Sequence, residues 1–157
     1  MSFDVKNSWI TAAGLPAVVI QFHGRHTCGY VGVYENSNFY GKSYSEQLEC
    51  ISQALADNTK LGKKSPVLCF TGRVGSDDED KLVRRSLDVV IDVHGGITFS
   101  GRELNEDYPI KQHSKAPVWW FGFDTAHCED PPEGQSVEYC VAECESMAAQ
   151  LQKLESH

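Results

Sequence analysis

The feature that most constrains the fold is an apolar stripe close to the C-terminus. Apolar side chains recur there at spacings of three and four residues, which predicts an amphipathic helix about 18 residues long. Ser136 is the expected N-cap, because its hydroxyl can accept a hydrogen bond from the first turn. A helix with one apolar face needs another element to cover that face, so the chain must also build a sheet or a second packed helix. The residues of the stripe are Val137, Cys140, Val141, Cys144, Met147, Ala148, Leu151 and Leu154.

Several β-rich runs supply the expected sheet. Residues 17–22 and 27–34 flank the short link "HGRH" and predict a hairpin. Further strands are predicted from "PVLCFTGRV", from "SLDVVIDV", which is the strongest run, and from "PVWWFGF". The stretch "GITFSG" either extends the "SLDVVIDV" strand or turns back on it.

A second helix is predicted between these strands. Ser43 and Glu46 have capping-box spacing, and the apolar periodicity that follows extends to about Asp57. We therefore expect one α+β domain over residues 1–157. Its sheet is expected to be mixed or antiparallel with about five strands, with one helix after the first hairpin and a long amphipathic helix at the C-terminus.

Charge and composition exclude several classes of protein. The chain has 157 residues and a formal net charge of −8, which disfavours DNA or RNA as a partner because neutralising phosphates supplies most of the affinity for those polymers. No apolar run approaches the ~20 residues of a membrane helix, and the first residues lack the pattern of a signal peptide. We expect a cytoplasmic protein that contacts no membrane, and an aromatic-rich short chain that forms a homo-oligomer.

The cysteines are expected to be reduced thiols. The chain shows no export signal and no dense disulfide framework, and a Cys-x-x-Cys pair of the kind found in structural zinc sites is absent from the sequence. The six cysteines are Cys28, Cys50, Cys69, Cys128, Cys140 and Cys144.

The first candidate for a site is His94-Gly95-Gly96, which follows a predicted strand. Paired glycines let the backbone approach a ligand closely and expose amide N–H groups that can hold an anion. The alternative is a tight turn in which the histidine caps the end of the strand.

A metal site is the second candidate. Asp124-x-x-His127 follows an apolar strand, and with Asp92 and His94 these side chains can form an oxygen and nitrogen site for a divalent ion, with Cys128 as a soft ligand. The alternative is an Asp–His hydrogen bond that fixes a loop. We expect no cofactor, with a divalent metal ion as the alternative.

Aromatic and basic residues complete the candidate set. Trp119 and Trp120 are adjacent and so face opposite sides of a strand, which allows one indole to pack in the core while the other stacks on a ligand. The alternative places both indoles in the core or at a subunit contact. Arg25, Arg73 and Arg102 each lie next to a glycine in a predicted turn, where guanidinium groups can bind a phosphate.

Five stretches together resemble a known family. In order they are "GLPAVVI", "CGYVGV", "YGKSY", "DVHGGITFSG" and "WWFGFDTAHCED", from about Leu15 to the last helix. They resemble a widespread family of small tailed-phage proteins, in which Gly-His-Pro often precedes the Gly-Lys segment. This chain reads "ENSNFYGK" at that point. The resemblance implies a phage accessory protein in the cytoplasm of the host cell, a class that includes many proteins that counter host immunity.

Three functions are compatible with these residues. The first is a binding protein that sequesters a small nucleotide-derived signal, of cyclic nucleotide or ADP-ribose type, as the resemblance implies. The second is a metal-dependent hydrolase that cleaves such a nucleotide. The third is an inhibitor that binds a host protein through its tryptophans. We favour the first, because the sequence contains neither an evident nucleophile nor a complete metal-ligand set. Its ligand-binding residues are expected to be His94, Gly95, Gly96, Trp119, Trp120, Asp124, His127, Arg25, Arg73 and Arg102.

Overall fold

The chain folds around a five-stranded antiparallel sheet with the order β1-β2-β3-β5-β4. The structure is a computed structural model, and it describes residues 3–22, 25–51, 85–102, 117–126, 130 and 134–155. The α+β class and the single domain are as expected. The strands are β1 Phe3–Ile10, β2 Pro16–Phe22, β3 Thr27–Tyr34, β4 Phe99–Gly101 and β5 Val118–Asp124, and the helices are α1 Leu87–Val90 and α2 Val137–Glu155.

Three predicted elements are confirmed. The first hairpin forms from β2 and β3, and the "PVWWFGF" run becomes β5. The C-terminal stripe becomes α2, and the backbone N–H of Tyr139 donates to Ser136 Oγ at 3.0 Å, as expected of an N-cap. "GITFSG" turns back and contributes β4, which pairs with β5.

The strand β1 was not predicted from the sequence. Most of its residues are exposed, and it pairs with β2 through a register shift between Val5 and Asn7. Because few of its side chains enter the core, the run lacks the apolar alternation by which strands are recognised.

The prediction of a strand over "SLDVVIDV" is wrong. Leu87–Val90 forms the short helix α1, Ile91 is extended, and residues 91–93 pair with no strand among the described residues. The run is apolar because Leu87, Val90, Ile91 and Val93 are all buried. A short apolar run is compatible with a buried helix as well as with a buried strand, so periodicity alone does not distinguish a helix from a strand here.

The predicted helix after the first hairpin falls partly outside the described residues. The Ser43 N–H donates to Glu46 Oε1 at 3.1 Å, which is one half of the expected capping box. From there to Ile51 the chain forms turns instead of the start of a helix. The rest of that prediction, and the strand predicted from "PVLCFTGRV", lie outside the described residues.

Side chains alternate between two buried clusters on the two faces of the sheet. The first cluster joins one face to α2 and includes Val19, Val31 and Phe121. The second lies on the other face and includes Val18, Ile20 and Trp120. Since successive residues of a strand point to opposite faces, the near-continuous apolar runs of β2 and β5 reflect burial on both sides.

Glycines and aromatic rings face each other across the central ladder of β3 and β5. Gly29 pairs with Phe123 and Gly122 pairs with Tyr30. A Cβ atom at Gly29 would come within 2.6 Å of the Phe123 ring and 2.8 Å of Cys144 Sγ, and one at Gly122 would come within 2.6 Å of Tyr30 Cε2. The rings therefore occupy the space that a side chain would need. The motifs "CGYVGV" and "WWFGF" are complementary parts of one packing arrangement.

All four described cysteines are free thiols, as expected, and Cys69 and Cys128 lie outside the described residues. Burial raises the pKa of Cys28 from 9.0 to about 12, with a further contribution from Asp124. Burial likewise raises the pKa of Cys140 to about 12, and that of Cys144 well above its ordinary value. These three thiols are uncharged parts of the core.

Neither of the described helices has the length and apolar character needed to cross a membrane.

The glycine–aromatic pairing predicts the energetic effect of a single methyl group. Gly122→Ala should destabilise the fold by about 1–3 kcal/mol, because the new Cβ overlaps the Tyr30 ring. In a Tyr30→Ala background the same substitution should cost at least about 1 kcal/mol less. Urea unfolding of the two single variants and the double variant measures this coupling. Additive effects would contradict the pairing.

The buried thiols predict loss of stability at alkaline pH. Below pH 9 both folded and unfolded chains keep these thiols protonated, so stability is independent of them. Between 9 and about 12 the unfolded chain loses protons that the folded chain retains, so stability falls as pH rises. Each thiol contributes about 1.4 kcal/mol per pH unit in that window. Urea midpoints at pH 8 and pH 10 should therefore fall more steeply in the parent than in Cys140→Ala, and equal slopes would contradict the assignment.

Candidate functional site

Several elements meet at one end of the sheet, which we call the hairpin end: the β2–β3 link, the last residue of β5 and the approach to α2. Thr27 Oγ1 donates to the Gln135 carbonyl at 2.8 Å, and Thr125 Oγ1 donates to the Thr27 carbonyl at 2.9 Å. The Gln135 N–H donates to Thr125 Oγ1 at 3.1 Å. Both threonines are fully buried. These bonds fix the start of α2 against β3 and β5.

Residues 91–94 reach the hairpin end by running along α2. Gln150 holds the backbone of Asp92 at two points: the Asp92 N–H donates to Gln150 Oε1 at 2.7 Å, and Gln150 Nε2 donates to the Asp92 carbonyl at 2.8 Å. Two residues later the His94 N–H donates to Glu143 Oε1 at 2.7 Å. Side chains of a helix therefore serve as the hydrogen-bond partners that a neighbouring strand would provide in a sheet.

The chain turns at His94-Gly95-Gly96. The Gly96 N–H donates to the Val93 carbonyl at 2.8 Å, and the two glycines have φ angles of 69° and 82°. Residues with side chains rarely adopt such angles, which explains the paired glycines. Gly95 is exposed, so its backbone is accessible at the surface beside the His94 ring.

The His94 ring is held at both nitrogens. Nε2 lies 3.0 and 3.1 Å from the two carboxylate oxygens of Asp130, and Gln135 Nε2 donates to the nearer of these oxygens at 2.8 Å. Nδ1 lies 2.8 Å from the Tyr139 hydroxyl, and the two rings meet edge to face at 5.3 Å. The His94 side chain is 19% exposed and that of Asp130 only 2%. The imidazole is thus fixed in orientation while one side remains accessible.

Tyr139 is the exposed member of this group. Its surface is 37% exposed, whereas the other described aromatic residues are buried or half-buried. Partial burial raises the pKa of the Tyr139 hydroxyl, and the nearby carboxylates of Glu143 and Asp130 raise it further. The hydroxyl therefore keeps its proton throughout the neutral range and can donate it to a hydrogen bond.

Asp124 also lies at the hairpin end, where β5 finishes. Its Oδ1 accepts from the Ala126 N–H at 3.0 Å and its Oδ2 accepts from Thr98 Oγ1 at 3.3 Å. The carboxylate thus caps the end of β5 and joins it to the segment that precedes β4. His127, its predicted partner, lies outside the described residues.

The two tryptophans face opposite sides of the sheet, as predicted. Trp120 is 2% exposed and belongs to the second cluster. Trp119 is partly buried on the α2 face, where its Nε1 donates to the Lys42 carbonyl at 2.8 Å and its ring lies 6.1 Å from that of Tyr40. Trp119 is five residues before Asp124, about 16 Å along the strand. Neither indole lies at the hairpin end.

The arginines are separated as well. Arg25 is exposed in the link between β2 and β3, at the hairpin end. Arg102 is exposed directly after β4, whose last residue pairs with Trp120, so Arg102 lies toward the opposite end of the sheet. Arg73 lies outside the described residues. His94, Gly95, Gly96, Asp124 and Arg25 thus all lie toward the hairpin end of the sheet.

The proposed metal ligands do not form a cluster in the described part of the chain. No group of three or more His, Cys, Asp or Glu side chains is arranged there to hold a metal ion. His127 and Cys128 lie outside the described residues.

A cavity of about 270 Å³ lies at the far end of α2. It is bounded by residues 13–15, by the end of β3 and by the last turn of α2. None of the described site residues predicted from the sequence lines it.

The partners of His94 were not predicted from the sequence: they are Asp130, Tyr139 and Glu143, with Gln135 bonded to Asp130. Tyr139 is 45 residues from His94 and Asp130 is 36 residues away, so no local spacing connects them. The one available signal was an aromatic hydroxyl in the first turn of the C-terminal helix, away from its apolar stripe.

Comparison with known proteins finds no match for this chain among family models, curated proteins or solved structures.

The double contact made by Gln150 predicts a clear difference between two side chains of α2. Gln150→Ala should destabilise the fold by about 1–3 kcal/mol, because it removes the partners of a partly buried backbone N–H and carbonyl. Lys153→Ala, three residues later on the exposed side of the helix, should change stability by less than about 0.5 kcal/mol. Urea unfolding measures both. Equal effects would mean that residues 91–94 are held by something other than α2.

Proposed function

We propose that this protein binds and sequesters a small nucleotide-derived ligand at the hairpin end. The observation that carries the proposal is the His94 group: an imidazole fixed by Asp130 and Tyr139 beside a glycine turn. Polar groups held in advance in one orientation lose little entropy on binding, which favours recognition of a small polar molecule.

The accessible groups match different parts of a nucleotide. The partly exposed Tyr139 and His94 rings offer aromatic edges and hydrogen bonds to a nucleoside. Arg25 offers a guanidinium, which binds phosphate in a bidentate geometry. Asp130 and Glu143 surround His94 with negative charge, so the phosphates are expected on the Arg25 side and away from His94.

The arrangement of His94 favours binding over hydrolysis. A general base or a metal ligand needs a nitrogen lone pair directed at the reacting group. Here both ring nitrogens of His94 lie within hydrogen-bond distance of protein groups, which suits an imidazole that orients a neighbouring hydroxyl. We therefore propose a phage accessory protein that lowers the free concentration of a host signal and leaves the molecule intact.

A release experiment tests this proposal. The purified protein is incubated with a panel of cyclic dinucleotides and ADP-ribose derivatives, separated from free ligand, heat-denatured, and the supernatant is analysed. Sequestration predicts that one ligand is retained by the folded protein and released intact by heat. Release of a cleaved product would instead support the hydrolase. Retention of no nucleotide would overturn the proposal and leave inhibition of a host protein as the leading alternative.

Two arginines provide a matched pair of variants. Arg25→Ala should weaken binding of the retained nucleotide at least about tenfold, because one charge-assisted hydrogen bond is lost. Arg102→Ala removes the same charge toward the other end of the sheet and should leave the affinity unchanged. Calorimetric titration measures both, and a larger effect at Arg102 would place the ligand elsewhere.

A further inference from the structure

The contacts of Asp130 determine which nitrogen of His94 carries a proton. The Asp130 carboxylate is almost fully buried, faces His94 Nε2 with both oxygens, and accepts a further hydrogen bond from Gln135. An ionised carboxylate only accepts hydrogen bonds. Nε2 must therefore be the donor, and it carries the proton in the neutral ring.

The proton on Nε2 determines the direction of the hydrogen bond between His94 Nδ1 and the Tyr139 hydroxyl. In the neutral imidazole the other nitrogen, Nδ1, is an acceptor. The Tyr139 hydroxyl, 2.8 Å away, must then donate to it. With its proton committed to Nδ1, Tyr139 Oη can only accept a hydrogen bond from a ligand.

From this geometry we infer that Asp130 locks His94 in the Nε2–H tautomer, and that Tyr139 Oη consequently selects a hydrogen-bond donor: an amino or hydroxyl group of the nucleoside part of a ligand. Ionised phosphate oxygens are acceptors, so they cannot bond to Oη in this state, and Asp130 and Glu143 repel them. Tyr139 is a specificity-determining residue. The ligand part of this inference depends on the proposed function, whereas the tautomer does not.

The tautomer is tested in the full-length protein without any ligand. The ring nitrogens are labelled with ¹⁵N and their couplings to the ring protons are recorded at pH 8, with His94→Gln used to assign the signals. We expect a protonated Nε2 and an unprotonated Nδ1 for His94. A protonated Nδ1, alone or together with Nε2, overturns the lock. In Asp130→Asn the preference should weaken, because an amide can donate to Nε2 as well as accept.

The ligand class is tested with two probes, adenosine and inorganic pyrophosphate. Adenosine should shift the His94 ring signals, and Tyr139→Phe should weaken its binding about tenfold. Tyr40→Phe, which removes a tyrosine hydroxyl near Trp119, should leave adenosine binding unchanged. Pyrophosphate should leave the His94 signals unmoved.

Each outcome of the experiments with adenosine and pyrophosphate supports or overturns the role of Tyr139 in selecting the ligand. A shift of the His94 signals by pyrophosphate, or equal effects of the two tyrosine variants, overturns selection by Tyr139. If adenosine does not bind, the ligand assignment is overturned, and the nucleotide panel shows independently whether the proposed function fails with it. The ¹⁵N spectrum of the protein without ligand tests the His94 tautomer independently of these binding results.

Discussion

The central ladder between β3 and β5 depends on glycines that face aromatic rings. Phe123 lies over Gly29 on the α2 face, and Tyr30 lies over Gly122 on the other face. Each ring covers a position where a side chain would prevent close pairing. Glycine weakens a strand by itself, because it gains no packing and loses more conformational freedom on folding. A facing aromatic ring restores the packing. Both faces of the sheet are thereby filled at the strands that carry the site.

The helix α2 connects the packed sheet to the segment that carries His94. Its buried face packs on the sheet through Cys144 and Leu151, and its polar side chains hold residues 91–94. The position of His94 therefore depends on α2 as much as on its own segment. Tyr139 contacts the His94 ring and Glu143 accepts a hydrogen bond from the His94 backbone. Because both residues belong to α2, a displacement of this helix on the sheet would move both contacts.

The distribution of charge at the hairpin end offers two different surroundings to the proposed ligand. Around His94 the described charged groups are carboxylates, which suits hydrogen-bond donors of a ligand. Arg25, in the β2–β3 link, is a described cation at this end that suits an anion. A net charge of −8 restricts anion binding to such local sites, since the overall field of the protein repels anions.

The sequence by itself determined the elements whose signals are local. The apolar stripe from Val137 to Leu154 and the runs that became β2, β3 and β5 were predictable because periodicity and burial act within a few residues. The glycine turn after His94 was also recognisable, since positive φ angles at Gly95 and Gly96 require residues of that type.

Only the tertiary structure decided the conformation of residues 87–93 and the partners of His94. Those residues were predicted to form a strand, yet the first four form a short helix and the backbone of Asp92 bonds to Gln150, 58 residues away. Arg25 and Arg102 have the same local signature but lie at different places in the sheet, and Trp119 lies far from the turn that it was predicted to complement. Hydrogen bonds between distant segments depend on how the elements pack, and such bonds leave no periodic pattern in the sequence of either partner.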